Sequence, residues 1–316
     1  MRRAARPGGV AVLGAISADL TVFGRQLPRP GETVIADEFS LVLGGKGANQ
    51  AVAAARAGAT TYMIGAVGDD LFKPLTLGAL RTEGIDVSAV RVMPGHTGIA
   101  HIRVNRKTAE NDIMVVPHAN AMLTSSMVEG HLRRLRDRVS VLLLQLEVPI
   151  ETVVAAVELG RQLGYTVVLD PAPAQPLPAS VWRLVDVVTP NELEAEAATG
   201  ILPTDLASAE SAGRWFTDRG VAAAVLTVGE RGVVVVTADA VRQVASHRVD
   251  PVDTTAAGDA FTGSLGAGLA AGLEWDELLA RSTAAGALTV TRPGASSSVP
   301  TRAEVDAFLM ARSGEV

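Results

Sequence analysis

The segment Asp253-Thr254-Thr255-Ala256-Ala257-Gly258-Asp259 is the part of the chain best equipped for chemistry. It is a loop of small residues running into an apolar, small-residue stretch with helical character, Ala260–Ala271. The first N–H groups of a helix have no partner within it, and the helix dipole favours negative charge beside them. Small side chains let an anion approach that backbone closely. Asp259 puts a carboxylate in the same turn. A carboxylate beside a pocket for developing negative charge is the arrangement of a phosphoryl-transfer base. An Asp at this place would also serve if it only stabilised a helix N-terminus.

Two other glycine patterns fail on inspection. Gly44-Gly45-Lys46-Gly47 approaches a Walker A loop, but Ser40 stands at the opening Gly and Gly47 at the Ser or Thr after the Lys. Gly266-x-Gly268-x-x-Ala271 fits a loose dinucleotide fingerprint, yet it lies inside a helical run rather than after a strand. A nicotinamide-dependent dehydrogenase needs a Gly-rich turn directly after its first strand, and Gly14-Ala15-Ile16-Ser17 supplies none. The absence of cysteine removes disulfides, thiolate catalysis, zinc ribbons and iron–sulfur clusters together. None of the five histidines has zincin spacing.

A scaffold must hold the Asp259 turn, and the hydrophobic pattern describes one. Val10–Ile16, Tyr62–Val67, Val139–Leu146, Thr166–Asp170, Val185–Thr189 and Ala223–Val228 read as strands, several too uniformly apolar to have a wet face. Helical segments alternate with them: Ala48–Ala57 stopped by Gly58, Ile150–Leu163 stopped by Gly164, and Ala207–Arg219 stopped by Gly220. Such alternation builds an α/β sandwich with right-handed crossovers. Leu20–Leu43 and Thr97–Val116 break the pattern, the second alternating as strands do around a polar Asn105–Asn111 turn. Both are expected to form β-structure outside the main sheet. Its exposed edge and apolar face would suit pairing with a second subunit.

With 316 residues, 48% of them hydrophobic, the chain can bury a large core and is neither disordered nor fibrous. A net charge of −6 argues against nucleic-acid or anionic-membrane partners, which call for a basic face. The basic start Met1–Pro7 leads into only a strand-length apolar run, without a secretory cleavage pattern. No apolar stretch approaches the ~18 residues of a membrane span, so a cytoplasmic location is expected.

Gly44-Gly45-Lys46-Gly47-Ala48-Asn49-Gln50-Ala51 and Asp253–Asp259 together resemble the two signature motifs of the ribokinase-type (PfkB) sugar kinases. Pro30-Gly31-Glu32-Thr33, Gly68-Asp69-Asp70, Gln145-Leu146-Glu147, Asp170-Pro171-Ala172-Pro173, Thr189-Pro190-Asn191-Glu192 and Thr291-Arg292-x-Gly294 follow the family's order. The resemblance runs from Val10 to Phe308. It implies one domain over residues 1–316, a three-layer α/β/α sandwich with a mainly parallel sheet. A small β-sheet lid would form from about 18–43 and 97–117, with a homodimer through it.

The implied reaction is transfer of the ATP γ-phosphoryl group to a sugar primary hydroxyl, with ribose as first expectation. Asp259 would take the proton from the sugar O5 hydroxyl, and the N–H groups of Ala256, Ala257 and Gly258 would form the anion hole. Asp19, Gly45, Lys46, Asn49 and Glu147 match positions that bind sugar hydroxyls, beside Ser17. Asn191, Glu194, Thr227, Gly229, Gly232 and Gly258 match the ATP side. Asn191-x-x-Glu194 resembles the motif organising Mg²⁺ and its waters, although Asn with Glu three residues on is also a helix cap. Asp253, Thr255, Thr289, Arg292, Gly294 and Ser298 would hold a monovalent cation, K⁺, largely through backbone carbonyls.

Two departures bear on this expectation. Ser17 stands where the family has Asn against a ring hydroxyl, which opens 2-deoxyribose or another furanose. Ala256 stands where the family usually has Gly; a positive φ there would cost about 1 kcal/mol without removing a donor. A nucleoside or ketohexose kinase, and a non-catalytic sugar or nucleotide sensor, are the competing readings.

Overall fold

The strand at residues 9–13 is buried at all five positions, so it needs cover on both faces. The computed structural model describes residues 8–108 and 111–313 and supplies that cover. Met1–Pro7, and residues 109–110 of the expected Asn105–Asn111 turn, lie outside the described residues. In chain order the strands are β1 (Gly9–Leu13), β2 (Ser17–Gly24), β3 (Glu38–Gly44), β4 (Thr61–Gly68), β5 (Asp86–Met93), β6 (Gly98–Asn105) and β7 (Asn111–Val116). Then follow β8 (Val139–Leu144), β9 (Thr166–Leu169), β10 (Val187–Val188), β11 (Ala223–Thr227), β12 (Val233–Thr237) and β13 (Val241–Val244). The helices are α1 (Lys46–Arg56), α2 (Lys73–Thr82), α3 (Ser125–Arg134), α4 (Ile150–Leu163), α5 (Glu192–Thr199), α6 (Leu206–Thr217), α7 (Ala257–Ala271), α8 (Trp275–Thr289) and α9 (Arg302–Ser313).

The large sheet runs β13-β12-β11-β10-β9-β8-β1-β4-β5, parallel from β11 to β5 with an antiparallel β11-β12-β13 edge. Side chains alternate between two cores. Ala11 and Leu13 join Val128, Val157 and Phe216 on the face of α3, α4 and α6, while Val10 and Val12 join Ala51, Leu80 and Leu265 on the face of α1, α2 and α7. This is the expected three-layer sandwich. From β1 the chain adds β4 and β5 on one side, then crosses to β8, β9, β10 and β11 on the other. The order reverses between β1 and β8, and the crevice outside their carboxyl ends is where such sheets bind ligands.

A separate four-stranded sheet, β3-β2-β6-β7, contains the two stretches that lacked helical period. The apolar run Val10–Ile16 is not one strand: it bends at Gly14–Ile16 and passes from the large sheet into β2. Asn120 fastens that bend. Its Oδ1 accepts from Ile16 N–H at 3.0 Å, and its Nδ2 donates to Ile16 C=O at 2.9 Å.

Helices α1 and α7 lie against each other, and their closeness depends on Gly263. A Cβ there would come within 2.4 Å of Ala53 Cβ and 2.6 Å of Gln50 O. The Gly266-x-Gly268-x-x-Ala271 pattern sits within α7, as helix packing rather than a nucleotide turn.

Candidate active site

The strand ends and two helix N-termini meet at the β1/β8 crevice. Ser17 and Asp19 follow β1, Glu147 follows β8, Asp170 follows β9, Asn191 follows β10, and Thr227 ends β11. Helix α1 brings Lys46, Asn49 and Gln50; α7 brings Asp259.

Helix α1 starts from Gly45 at φ 88°, in a place where a Cβ would lie 2.7 Å from Ala15 O. No acidic residue occupies its first turn; instead Glu147 reaches across, and its Oε2 accepts from Lys46 N–H at 2.8 Å. Helix α7 starts from Ala256, which takes the left-handed conformation at φ 61°. The positive φ anticipated for this position is present, on a residue with a Cβ. Ala257 N–H makes a long turn bond of 3.3 Å to Thr254 O, and a Cβ at Gly258 would face open space.

Asp259 is buried at the foot of this turn, 5% exposed. Asn49 Nδ2 donates to its Oδ2 at 2.9 Å, and Gln50 Nε2 to its Oδ1 at 3.1 Å. Gln50 Nε2 also donates to Asp170 Oδ2 at 2.7 Å, while Gln50 Oε1 accepts from Gln145 Nε2. The motif reading assigned no role to Gln50, Gln145 or Asp170. All three lie in segments that follow the family's order, Gln50 within Gly44–Ala51, Gln145 two residues before Glu147 and Asp170 before Pro171. Asn49 Oδ1 is buried with no hydrogen-bond partner among the described residues. A buried acceptor without a donor is costly, and a ligand hydroxyl can relieve it.

Ser17 Oγ donates to Asp19 Oδ1 at 2.7 Å. The Asp19 carboxylate lies against Gly44, where a Cβ would come within 2.0 Å of it. Burial raises the Asp19 pKa, the Ser17 bond lowers it and the Asp259 charge raises it, leaving it at about 6. Burial likewise pushes up the carboxyls of Glu147 and Glu194, and drives that of fully buried Asp170 well above the usual range. Burial opposes the Lys46 ammonium, but the charges of Asp259, Asp170, Glu147 and Glu194 outweigh it and raise its pKa. Lys46 therefore keeps its charge in the field of these acids.

On the opposite side, Asn191 and Glu194 form a complete capping box: Asn191 N–H donates to Glu194 Oε2 and Glu194 N–H to Asn191 Oδ1, both at 2.9 Å. The helix-cap alternative is thus realised, and the same carboxylate still lies within the field of Lys46 and Asp259. Thr227 N–H donates to Pro190 O at 3.0 Å, joining β11 to this loop, and Gly229 and Gly232 take positive φ just beyond.

Of the six expected cation residues, five are joined directly, Asp253 with Thr255 and Gly294 and Thr289 with Arg292. Asp253 Oδ1 accepts from Thr255 N–H and Oδ2 from Gly294 N–H, both at 2.9 Å. Thr289 closes α8 and accepts from Arg292 N–H at 3.2 Å, while the Arg292 guanidinium turns to Glu304 at 2.7 Å. Ser298 Oγ donates to Ala295 O at 2.8 Å. Among the described residues no group of three or more His, Asp or Glu side chains is placed to hold a metal.

A buried carboxylate in the first turn of a helix, a charged lysine near it and a switch-point crevice form a site suited to moving an anionic group onto a hydroxyl. Residues 8–302 match the family described as "pfkB family carbohydrate kinase", and the chain belongs to it. It is 38% identical over 301 residues to a ribokinase of Haemophilus influenzae, covering 95% of this chain and 98% of that one. It is 35% identical to a deoxyribokinase of Salmonella typhi, with coverage of 95% and 98%. The solved Arabidopsis thaliana ribokinase complexed with ribose and ATP superposes with a TM-score of 0.89 at 29% identity, covering 96% of this chain and 99% of that one.

Proposed function

We propose that this protein transfers the γ-phosphoryl group of ATP to the primary hydroxyl of a pentose, D-ribose first, giving the 5-phosphate. The observation that carries this is the buried Asp259 carboxylate, held by Asn49 and Gln50 at the N-terminus of α7. Asp259 accepts the proton of the attacking O5 hydroxyl. The N–H groups of Ala256, Ala257 and Gly258 face the transferring group, so the chain mainly orients two oxygens and neutralises charge. The sugar lies between the crevice and the small sheet, which acts as a lid, with Asp19, Gly45, Lys46, Asn49 and Glu147 as its hydroxyl partners. ATP lies along Asn191, Glu194, Thr227, Gly229, Gly232 and Gly258.

Asn191 and Glu194 are the residues that would hold the waters of a Mg²⁺ bound with ATP, and the ion would supply charge neutralisation at the phosphates. The Asp253, Thr255, Thr289, Arg292, Gly294 and Ser298 loops would hold K⁺, which would supply positive charge beside the start of α7. The protein works in the cytoplasm as a homodimer joined through the lid, whose strand β7 exposes Ile113, Met114 and Val115. Deoxyribose is a second substrate reading, favoured because the one proton of the Ser17 hydroxyl goes to Asp19, which leaves Ser17 no donor for a sugar.

ADP release with Mg²⁺-ATP and K⁺, measured against D-ribose, 2-deoxy-D-ribose, D-fructose and adenosine, tests the assignment. Turnover with a pentose supports it. Silence on all four acceptors, with or without K⁺, overturns it in favour of a sensor.

A further inference from the structure

Beneath Asp259 lies a polar chain that the proposed reaction does not itself use. Gln50 is fully buried, as is Gln145, and Asp170 is 5% exposed. One Gln50 amide nitrogen serves two carboxyl groups, Asp170 Oδ2 at 2.7 Å and Asp259 Oδ1 at 3.1 Å. An amide has two N–H hydrogens, so each carboxyl receives one, and Gln145 fixes the amide's direction by donating to Gln50 Oε1. With Asn49 on Oδ2, both oxygens of Asp259 are then pinned from the protein side. The carboxylate cannot turn about its Cβ–Cγ bond without breaking one of these bonds.

We propose that Gln50 is a positioning residue for phosphoryl transfer, its side-chain amide fixing the orientation of the Asp259 carboxylate by tying it to the buried Asp170. The inference rests on the reading of Asp259 as base. Near-attack geometry is sensitive to small rotations of the reacting group, so loss of this tie should act on turnover rather than on ligand affinity. Gln50 does not touch the reacting atoms and acts only through Asp259. The charged groups facing the cluster are Lys46 from α1, Asp19 from β2, Glu147 after β8, Asp170 after β9, Glu194 from α5 and Asp259 from α7.

Three variants test this. Gln50→Met keeps the length of the side chain and removes its donors. Gln50→Glu keeps the shape and replaces the donor by an acceptor until the new carboxyl is protonated. Gln145→Met leaves Gln50 in place and removes its orienting contact, which keeps the test open should Gln50→Met fail to fold. The expected result for Gln50→Met is a fall in kcat of roughly 10- to 100-fold with sugar and ATP KM within about threefold. Gln145→Met should show a smaller loss of the same kind. Gln50→Glu should lose turnover near pH 8 and regain part of it on acidification, as the protonated carboxyl recovers one O–H donor. A merely structural role would not move the pH profile in that direction.

Wild-type turnover in all three variants, with an unaltered pH profile, overturns the proposal while leaving the kinase reading intact. If wild-type protein is silent on every acceptor, the kinase reading fails. Carbon-13 titration of the aspartate carboxyls then decides the tie: altered Asp170 and Asp259 curves in Gln50→Met support it, and unchanged curves overturn it.

Discussion

The Ser17 hydroxyl donates to the Asp19 carboxylate at 2.7 Å, within the crevice between the two sheets. Ser17 thereby gives its one proton to its neighbour and keeps only acceptor capacity, while Asp19 carries the carboxylate at this corner. Burial holds the Asp19 pKa at about 6, so its charge changes not far below neutral pH.

The affinity for sugar should therefore depend on pH. A carboxylate accepts a sugar O–H more strongly than a neutral carboxyl does. Sugar KM should rise as pH falls through about 6 while ATP KM stays level. Ser17→Ala removes a bond that lowers the Asp19 pKa, so the midpoint should move upward. KM profiles from pH 5 to 8 for both proteins check this; a flat profile for sugar counts against Asp19 as its acceptor.

Stability should respond with a definite sign. The folded pKa of Asp19 lies above its ordinary 3.8, so the folded state binds the proton more tightly than the unfolded one. The Asp19 contribution is thus unfavourable above about 6 and is relieved as pH falls from there towards 3.8. Replacing Asp19 by Asn should raise the urea midpoint at pH 8 more than at pH 5.

Asp259→Asn should lower kcat by roughly 10²–10⁴-fold with little change in sugar affinity, because the amide keeps the shape but accepts no proton. Steady-state turnover together with direct sugar binding separates the two effects. Near-normal turnover would remove Asp259 from the role of base.

Ala256 holds φ 61° at the start of α7, a conformation that penalises a Cβ. Ala256→Gly should stabilise the fold by about 1 kcal/mol, less whatever the freer unfolded chain takes back. Activity should remain within about twofold, since the N–H donor is kept and only strain is removed. A higher urea midpoint at an unchanged m-value is the expected observation.

Asn120 pairs with both backbone groups of Ile16, one residue before Ser17. Asn120→Ala leaves a buried N–H and C=O unpaired, which costs about 1–3 kcal/mol for each. Because the loss falls at the passage into β2, sugar KM should rise more than ATP KM. Equal changes in both would make Asn120 a general support of the fold.

Legibility in the sequence followed the range of each interaction. The Gly44–Ala51 and Asp253–Asp259 stretches are local, and their residue types were enough to expect two helix starts with a base. Helix Ile150–Leu163 was readable to the residue because Gly164, at φ 85°, ends it by backbone geometry alone. Strand β10 keeps only Val187–Val188 of the expected Val185–Thr189, since buried apolar residues extend beyond the paired ones. The Gln50 bridge joins positions separated by 120 and 209 residues, and no periodicity encodes such a meeting. Asn120 was hidden for the same reason, 104 residues from the backbone it completes.

The close seating of Gly263 against α1 divides the labour of the site between two bodies. Lys46 and Asn49 on α1, and Asp259 on α7, ride on helices pressed together with no room for an added methyl group. Ser17 and Asp19 ride on β2, in the other sheet. On the proposed reading, substitutions in that small sheet would alter the Ser17 and Asp19 contacts to the sugar while leaving Lys46, Asn49 and Asp259 in place. A chain built this way would let its sugar preference change by drift in one sheet without disturbing the packed helices that carry the Asp259 carboxylate.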